Sequence, residues 1–299
     1  IGSQNLLLIE QVSQTLAGRT AVLNLLPLSC AELRGAPALD PRSLGKANAP
    51  GPLPPMALWR MVWTGLYPRI HAAALDPTRW LADYERTYVE RDLRNVLRIF
   101  NLDAFSRFLR LVAARTATEL NLSELASDAG ITQPTARAWL TALRVGFLVT
   151  LLQPHHANYR KRLRKRPKLH FLDTGLACSL LGIHSPEVLA LHPLRGALFE
   201  SFVVGELCKS FANAGQEPPL FHWRDSRGRE IDVIIDLGDQ LIPVEVKSGQ
   251  TVHAESVDTL RWWLDLPGNP NDAGVLIHGG TEHLSLRGIG VRPWWIGEA

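Results

Sequence analysis

Cysteine is scarce in this sequence. Three occur in 299 residues, Cys30, Cys178 and Cys208, odd in number and far apart. That excludes a disulfide framework and any paired-cysteine zinc pattern, and it makes a reducing cytoplasm the expected compartment. Long apolar runs are missing too. None approaches the roughly 18 residues that a membrane span requires, so no membrane partner is expected. No charged segment precedes the apolar opening "IGSQNLLLIEQ", which therefore does not read as a signal peptide and suggests a chain beginning mid-protein. No repeat of fixed period occurs. The ten histidines form no HExxH pattern, and no GxxxxGK[ST] phosphate loop is found. The net charge of +3 is too small to argue for nucleic acid on its own.

What is present suffices for two or three domains with real cores, since 46% of the residues are hydrophobic and only 20% charged. Residues 4–17 have a helical pattern, and "TAVLNLLPLS" after them is consistent with a strand. Residues 35–55 contain six prolines and read as a loop or linker. Residues 57–115 are expected to be mostly helical. One helix opens at Asp76-Pro77, and another covers "DAFSRFLRLVAART".

The stretch "LSELASDAGITQPTARAWLTALRVGFLV" has the punctuation of a helix-turn-helix. Ser123 is expected to cap a short helix, Gly130 to permit the turn, and Thr132 to cap a second helix with Pro134 in its first turn. Ile131, Ala138, Leu140 and Leu143 are expected to pack inward. Gln133, Thr135, Arg137 and Arg144 would then face outward, where such a motif meets base edges. "FLVTLLQ" and "PKLHFLD" read as the two strands of a wing. Between them and into the second run lie Arg160, Lys161, Arg162, Arg164, Lys165, Arg166 and Lys168, with no acidic residue from 153 to 172. A basic loop of this kind neutralises phosphates with little regard to sequence. DNA is thus the expected partner, although the same pattern also serves a winged helix that contacts protein.

Carboxylates mark the last 125 residues. Glu200 shares a helical stripe with Val203, Val204, Leu207 and Phe211, where an acid is disfavoured unless paired. Glu206 lies off that stripe and is expected in solvent. "IDVIID" and "IPVEVKSG" should form a hairpin across "LGDQL". Glu245 and Lys247 would then share one face, with Asp232 across from them. Gathered together, Glu200, Asp232, Glu245 and Lys247 suit metal-assisted phosphodiester cleavage. Asp232, Glu245 and the Val246 carbonyl would hold Mg²⁺, Lys247 would act on the developing charge, and Glu200 would act through water. A surface ion pair between Glu245 and Lys247 is the bland alternative. The Trp262–Trp263 and Trp294–Trp295 pairs are expected to be packing residues.

Taken in order, "YVERDLRNV", "LSELASDAGITQPTARAWLTAL", "KLHFLDTGLACSLLGI", "GALFESFVVGEL", "FHWRDSRGREIDVII" and "IPVEVKSG" resemble the C-terminal part of a prokaryotic AAA-type ATPase family. That part ends in the domain of unknown function 4143, which is similar to PD-(D/E)xK nucleases. The resemblance covers roughly residues 57–265. It implies a multidomain α/β and α+β chain: an ATPase remnant and Pro/Gly-rich loop (1–56), a helical region (57–115), a winged helix-turn-helix (116–172) and a restriction-endonuclease-like α/β domain (173–299). It maps Glu200, Asp232, Glu245 and Lys247 onto the nuclease positions, and Gln4 and Arg19 onto the tail of the ATPase site. ATP would be a cofactor only with the upstream phosphate loop present, and any homo-oligomer is expected through the ATPase part. A non-catalytic DNA-binding or regulatory protein, or an ATP-gated protein-interaction module, are the rival expectations.

Overall fold

The computed structural model describes residues 24–37, 40–44, 53–87, 101–155, 166–266 and 273–295. Its helices are α1 (Cys30–Arg34), α2 (Leu58–Thr64), α3 (Pro68–Ala72), α4 (Pro77–Tyr84), α5 (Leu102–Ala114), α6 (Leu122–Ala129), α7 (Gln133–Val145), α8 (Thr174–Leu180), α9 (Pro186–Leu191), α10 (Arg195–Asn213) and α11 (Asp258–Leu264). Its strands are β1 (Thr118–Glu119), β2 (Val149–Pro154), β3 (Lys168–Phe171), β4 (Leu220–Arg224), β5 (Glu230–Asp236), β6 (Leu241–Lys247), β7 (Val275–His278), β8 (Leu284–Leu286) and β9 (Ile289–Pro293). The chain is mixed α/β, built on a mixed sheet ordered β1-β3-β2-β4-β5-β6-β7-β9-β8.

Local chemistry sets the helical half. Asp76 caps α4 ahead of Pro77, and Asn101 caps α5. Asn121, rather than Ser123, caps α6, because its side chain accepts the Glu124 amide. Gly130 closes α6 at φ 70°, and Thr132 caps α7 with Pro134 in the first turn. On α7 the buried stripe is Ala136, Trp139, Leu140 and Leu143, which is the i, i+3, i+4, i+7 pattern. Ala138 falls outside that stripe and is exposed, contrary to the sequence expectation. Trp139 packs edge-on against Phe105 and Phe108 of α5.

The expected strand around Leu25 does not form in its described part. Residues 24–29 are irregular, and Ser29 opens α1 through a reciprocal capping box with Glu32.

The hairpin β2–β3 does not stand apart. β2 also pairs with β4 in parallel, so one sheet runs across residue 172 into the C-terminal half. The "LDTGL" segment fastens that crossing. Asp173 caps α8 and also accepts the Leu66 amide, and the Thr174 hydroxyl donates to the Val62 carbonyl. Gly175 lies so close to α2 that a Cβ there would sit 2.6 Å from the Thr64 carbonyl oxygen.

One apolar cluster links α2, α5–α8 and α10 with the sheet. A second, centred on Ile231, Leu260, Trp263, Leu276 and Val291, lies under α11. Trp263, Trp294 and Trp295 are buried packing residues, as expected.

Candidate functional site

The site forms where β5 and β6 part. Their antiparallel ladder ends at Val233–Val244. One step beyond, the Val246 amide donates to Asp232 Oδ2 at 2.9 Å. A side chain has thus taken the place of a ladder carbonyl. A bulge prepares the fork: against β4, Phe221 pairs with Ile234 but Trp223 pairs with Ile231, so Asp232 and Val233 both lie opposite His222. Such an extra residue re-aims a side chain locally.

Two charged groups share Asp232. In the first, the Lys168 ammonium lies 2.7 Å from Glu200, 2.5 Å from Glu230 and 3.5 Å from Asp232. In the second, Lys247 pairs with Glu245 at 2.6 Å. Burial and then the charge of Asp232 hold the Glu200 carboxyl well above the ordinary carboxylate range. The same two causes push Glu245 up to about 7. Burial works against the Lys168 ammonium, but Glu200, Asp232 and Glu230 outweigh it and raise its pKa. His170, two residues along β3, stays neutral because burial and Lys168 depress its pKa. Its ring lies 3.8 Å from Glu200, and its other nitrogen meets Ser201 at 3.1 Å.

Asp232, Glu245 and Lys247 lie at the fork, and Glu200 is tied to Asp232 through Lys168. Val246 contributes its amide. Lys168 requires correction. Its sequence context places it in the basic loop, yet its side chain is only 4% exposed, in the midst of the acids. It lies on β3, where it and His170 fall on one side of the strand by the period of two. Glu230 was missed for the same reason, since its ties depend on Lys168.

Glu206 is the second correction. It is 2% exposed rather than solvated, pairs with Lys209 and accepts the Cys30 amide, while Lys209 donates to the Leu28 carbonyl. α10 is buried on nearly all sides, so it has no polar face for Glu206 to occupy.

Gln133 and Arg137 are exposed on α7, as is Arg144 near its end, while Thr135 bonds to the Thr132 cap. Arg166 is exposed at the start of the segment leading into β3. Arg160, Lys161, Arg162, Arg164 and Lys165 lie outside the described residues, as do Gln4 and Arg19.

A hard divalent cation, which the resemblance implies, fits the second group in donor chemistry. Among the described residues Glu245 Oε2, like Glu200 Oε1, is buried with no hydrogen-bond partner, and the charge of Asp232 acts on Glu245. Mg²⁺ commonly takes one or two carboxylates, completing its shell with water and phosphate oxygens. Among the described residues, no three His, Cys, Asp or Glu residues are gathered around a metal position.

Comparison with known proteins names no activity. Residues 56–187 match the family Domain of unknown function (DUF8612), and residues 195–296 match Domain of unknown function (DUF4143). The second match is the family of the expected resemblance. Uncharacterized protein Rv2008c of Mycobacterium tuberculosis and Uncharacterized protein Mb2031c of Mycobacterium bovis are each 31% identical over 252 residues. The alignment covers 84% of this chain and 52% of each relative, so the chain spans about half their length. No solved structure matches it.

Proposed function

We propose that this chain is the DNA-binding and phosphodiester-cleaving part of a larger ATPase-type protein. The observation that carries the reading is the β5–β6 fork. There Asp232 is fixed by the Val246 amide, beside a buried Glu245 oxygen that has no hydrogen-bond partner among the described residues and a lysine that reaches solvent. The order of elements around it supports the same reading: a helix carrying an acid, three antiparallel strands, a helix and a parallel strand. That order is compatible with the nuclease-like domain which the DUF4143 resemblance implies.

Asp232 and Glu245, with the Val246 carbonyl, would hold Mg²⁺. The ion would supply Lewis-acid polarisation of a phosphoryl oxygen and a bound water of lowered pKa. The protein's own residues do the rest. Lys247, about half exposed, meets the incoming phosphate and offsets charge that develops as the bond breaks. Asp232, locked at its amide, keeps the acids in register. Arg137, Gln133 and Arg166 lie on exposed surface, and with the basic run after β2 they would hold the duplex through winged-helix-type contacts. ATP-driven steps belong to the upstream half, where the resemblance places the phosphate loop.

One observation favours a second reading, a DNA-binding protein that does not cut. A lysine already stands among Glu200, Glu230 and Asp232, as a resident counter-charge. Incubation with supercoiled plasmid separates the two. The first reading predicts Mg²⁺-dependent nicking that Lys247→Ala and Asp232→Asn abolish while duplex binding persists. Equal background cleavage by all three proteins, with binding intact, would leave only the second.

A further inference from the structure

The charges around the fork do not balance. Among the described residues four carboxylates, Glu200, Glu230, Asp232 and Glu245, face two ammonium groups, Lys168 and Lys247, leaving two formal negative charges unmatched. The imbalance is not evenly spread. Around Glu200 and Glu230 the space between the acids is filled, because the Lys168 ammonium touches both and reaches Asp232. Among the described residues Glu200 Oε1 and Glu245 Oε2 are both buried without a hydrogen bond, but the Lys168 ammonium stands 2.7 Å from the first, whereas Lys247 bonds to the other Glu245 oxygen, Oε1, and leaves Oε2 unmet.

Lys168 cannot easily be displaced. It is the first residue of β3, whose ladders with β1 and β2 include it: Lys168 pairs with Glu119 on one side and Leu152 on the other. Its neighbours Leu169 and Phe171 are fully buried. The ammonium is therefore held by strand geometry, unlike that of a surface lysine.

We propose that Lys168 is the fixed cation of the Glu200–Glu230–Asp232 half of the cluster, and that it confines divalent metal to the Asp232–Glu245 half. The residue comes from the hairpin outside the helix–strand unit that carries the other acids, so the N-terminal part of the fold sets the metal count of the C-terminal part. This rests on the metal-site reading above and deepens it. Lys168 acts here as a positioning residue: its ammonium excludes a second ion and holds Glu200 in place.

The test is calorimetric titration of the chelator-stripped chain with MnCl₂, with no DNA present. Wild type is expected to bind one ion. Lys168→Met, which keeps the apolar stem and removes the charge, is expected to bind a second ion, or the first at least about tenfold more tightly. Lys168→Arg should stay at one. Unchanged or weaker Mn²⁺ binding by Lys168→Met overturns the proposal. Glu230→Gln gives an answer even if Lys168→Met fails to fold. The ion sits in the other half, so Glu230→Gln should leave Mn²⁺ binding within about threefold of wild type, and abolition of binding would overturn the assignment. If only Lys168→Met binds Mn²⁺, the role of Lys168 stands and the metal reading of wild type falls. If no variant binds it, both fall.

Discussion

Helix α10 buries two glutamates six positions apart and treats them in opposite ways. Glu206 has one lysine, Lys209, and the remaining capacity of the pair is met by the Cys30 amide and the Leu28 carbonyl. The charges match one to one, and the pair ties the segment around α1 to the core. Glu200 stands in a crowd of acids with too few cations among the described residues, and both its own Oε1 and Glu245 Oε2 are buried without a hydrogen bond. Burial of charge is common to both places, so it does not by itself mark a functional site. Imbalance does, because an uncompensated buried carboxylate costs stability that packing alone gives no reason to retain.

The largest expected effect tests the balanced end. Lys209→Met leaves Glu206 buried without its ion-pair partner, and should cost about 3–5 kcal/mol in urea unfolding. Glu200→Gln relieves repulsion with Asp232 and should change stability by less than about 1 kcal/mol, or raise it. Equal losses in the two variants would erase the contrast.

A pH series tests the other end. The Glu245 carboxyl is raised to about 7 in the fold, from an ordinary value of 4.5. The fold therefore favours its protonated form, and that contribution is complete below pH 4.5 and lost as pH rises through about 7. In chelator, wild type should lose up to about 3 kcal/mol across this window. Glu245→Gln, neutral throughout, should flatten the decline. An identical slope in the variant would contradict the assignment.

A smaller effect concerns the helical half. Arg137→Ala, exposed on α7, should weaken duplex binding several-fold. If Arg137 contacts phosphate, the slope of log affinity against log salt should fall by about one. No change in either quantity would move the duplex away from α7.

The pattern of agreement between sequence and structure has a physical reason. Glu200 was legible because an acid in a 3.6-period apolar stripe is conspicuous. Asp232, Glu245 and Lys247 were legible because a short loop fixes a hairpin's register. The capped turn through Gly130 and Thr132 could be read from its punctuation alone. Lys168 was not legible. It ends a run of basic residues, so composition assigns it to the loop, and only the parallel pairing of β2 with β4 carries β3 to the acids. Glu206 was misread because the stripe rule assumes a solvated opposite face, which α10 lacks. The bulge that aims Asp232 leaves no glycine or proline as a signal in β5.

The most direct test is the thermal shift of the metal-free chain on adding MnCl₂. The account predicts that wild type gains melting temperature, that Asp232→Asn loses most of that gain, and that Glu206→Gln, whatever its starting stability, keeps it. A gain that survives in Asp232→Asn, or that disappears in Glu206→Gln alone, would contradict the claim that the unbalanced end of α10 is the functional one.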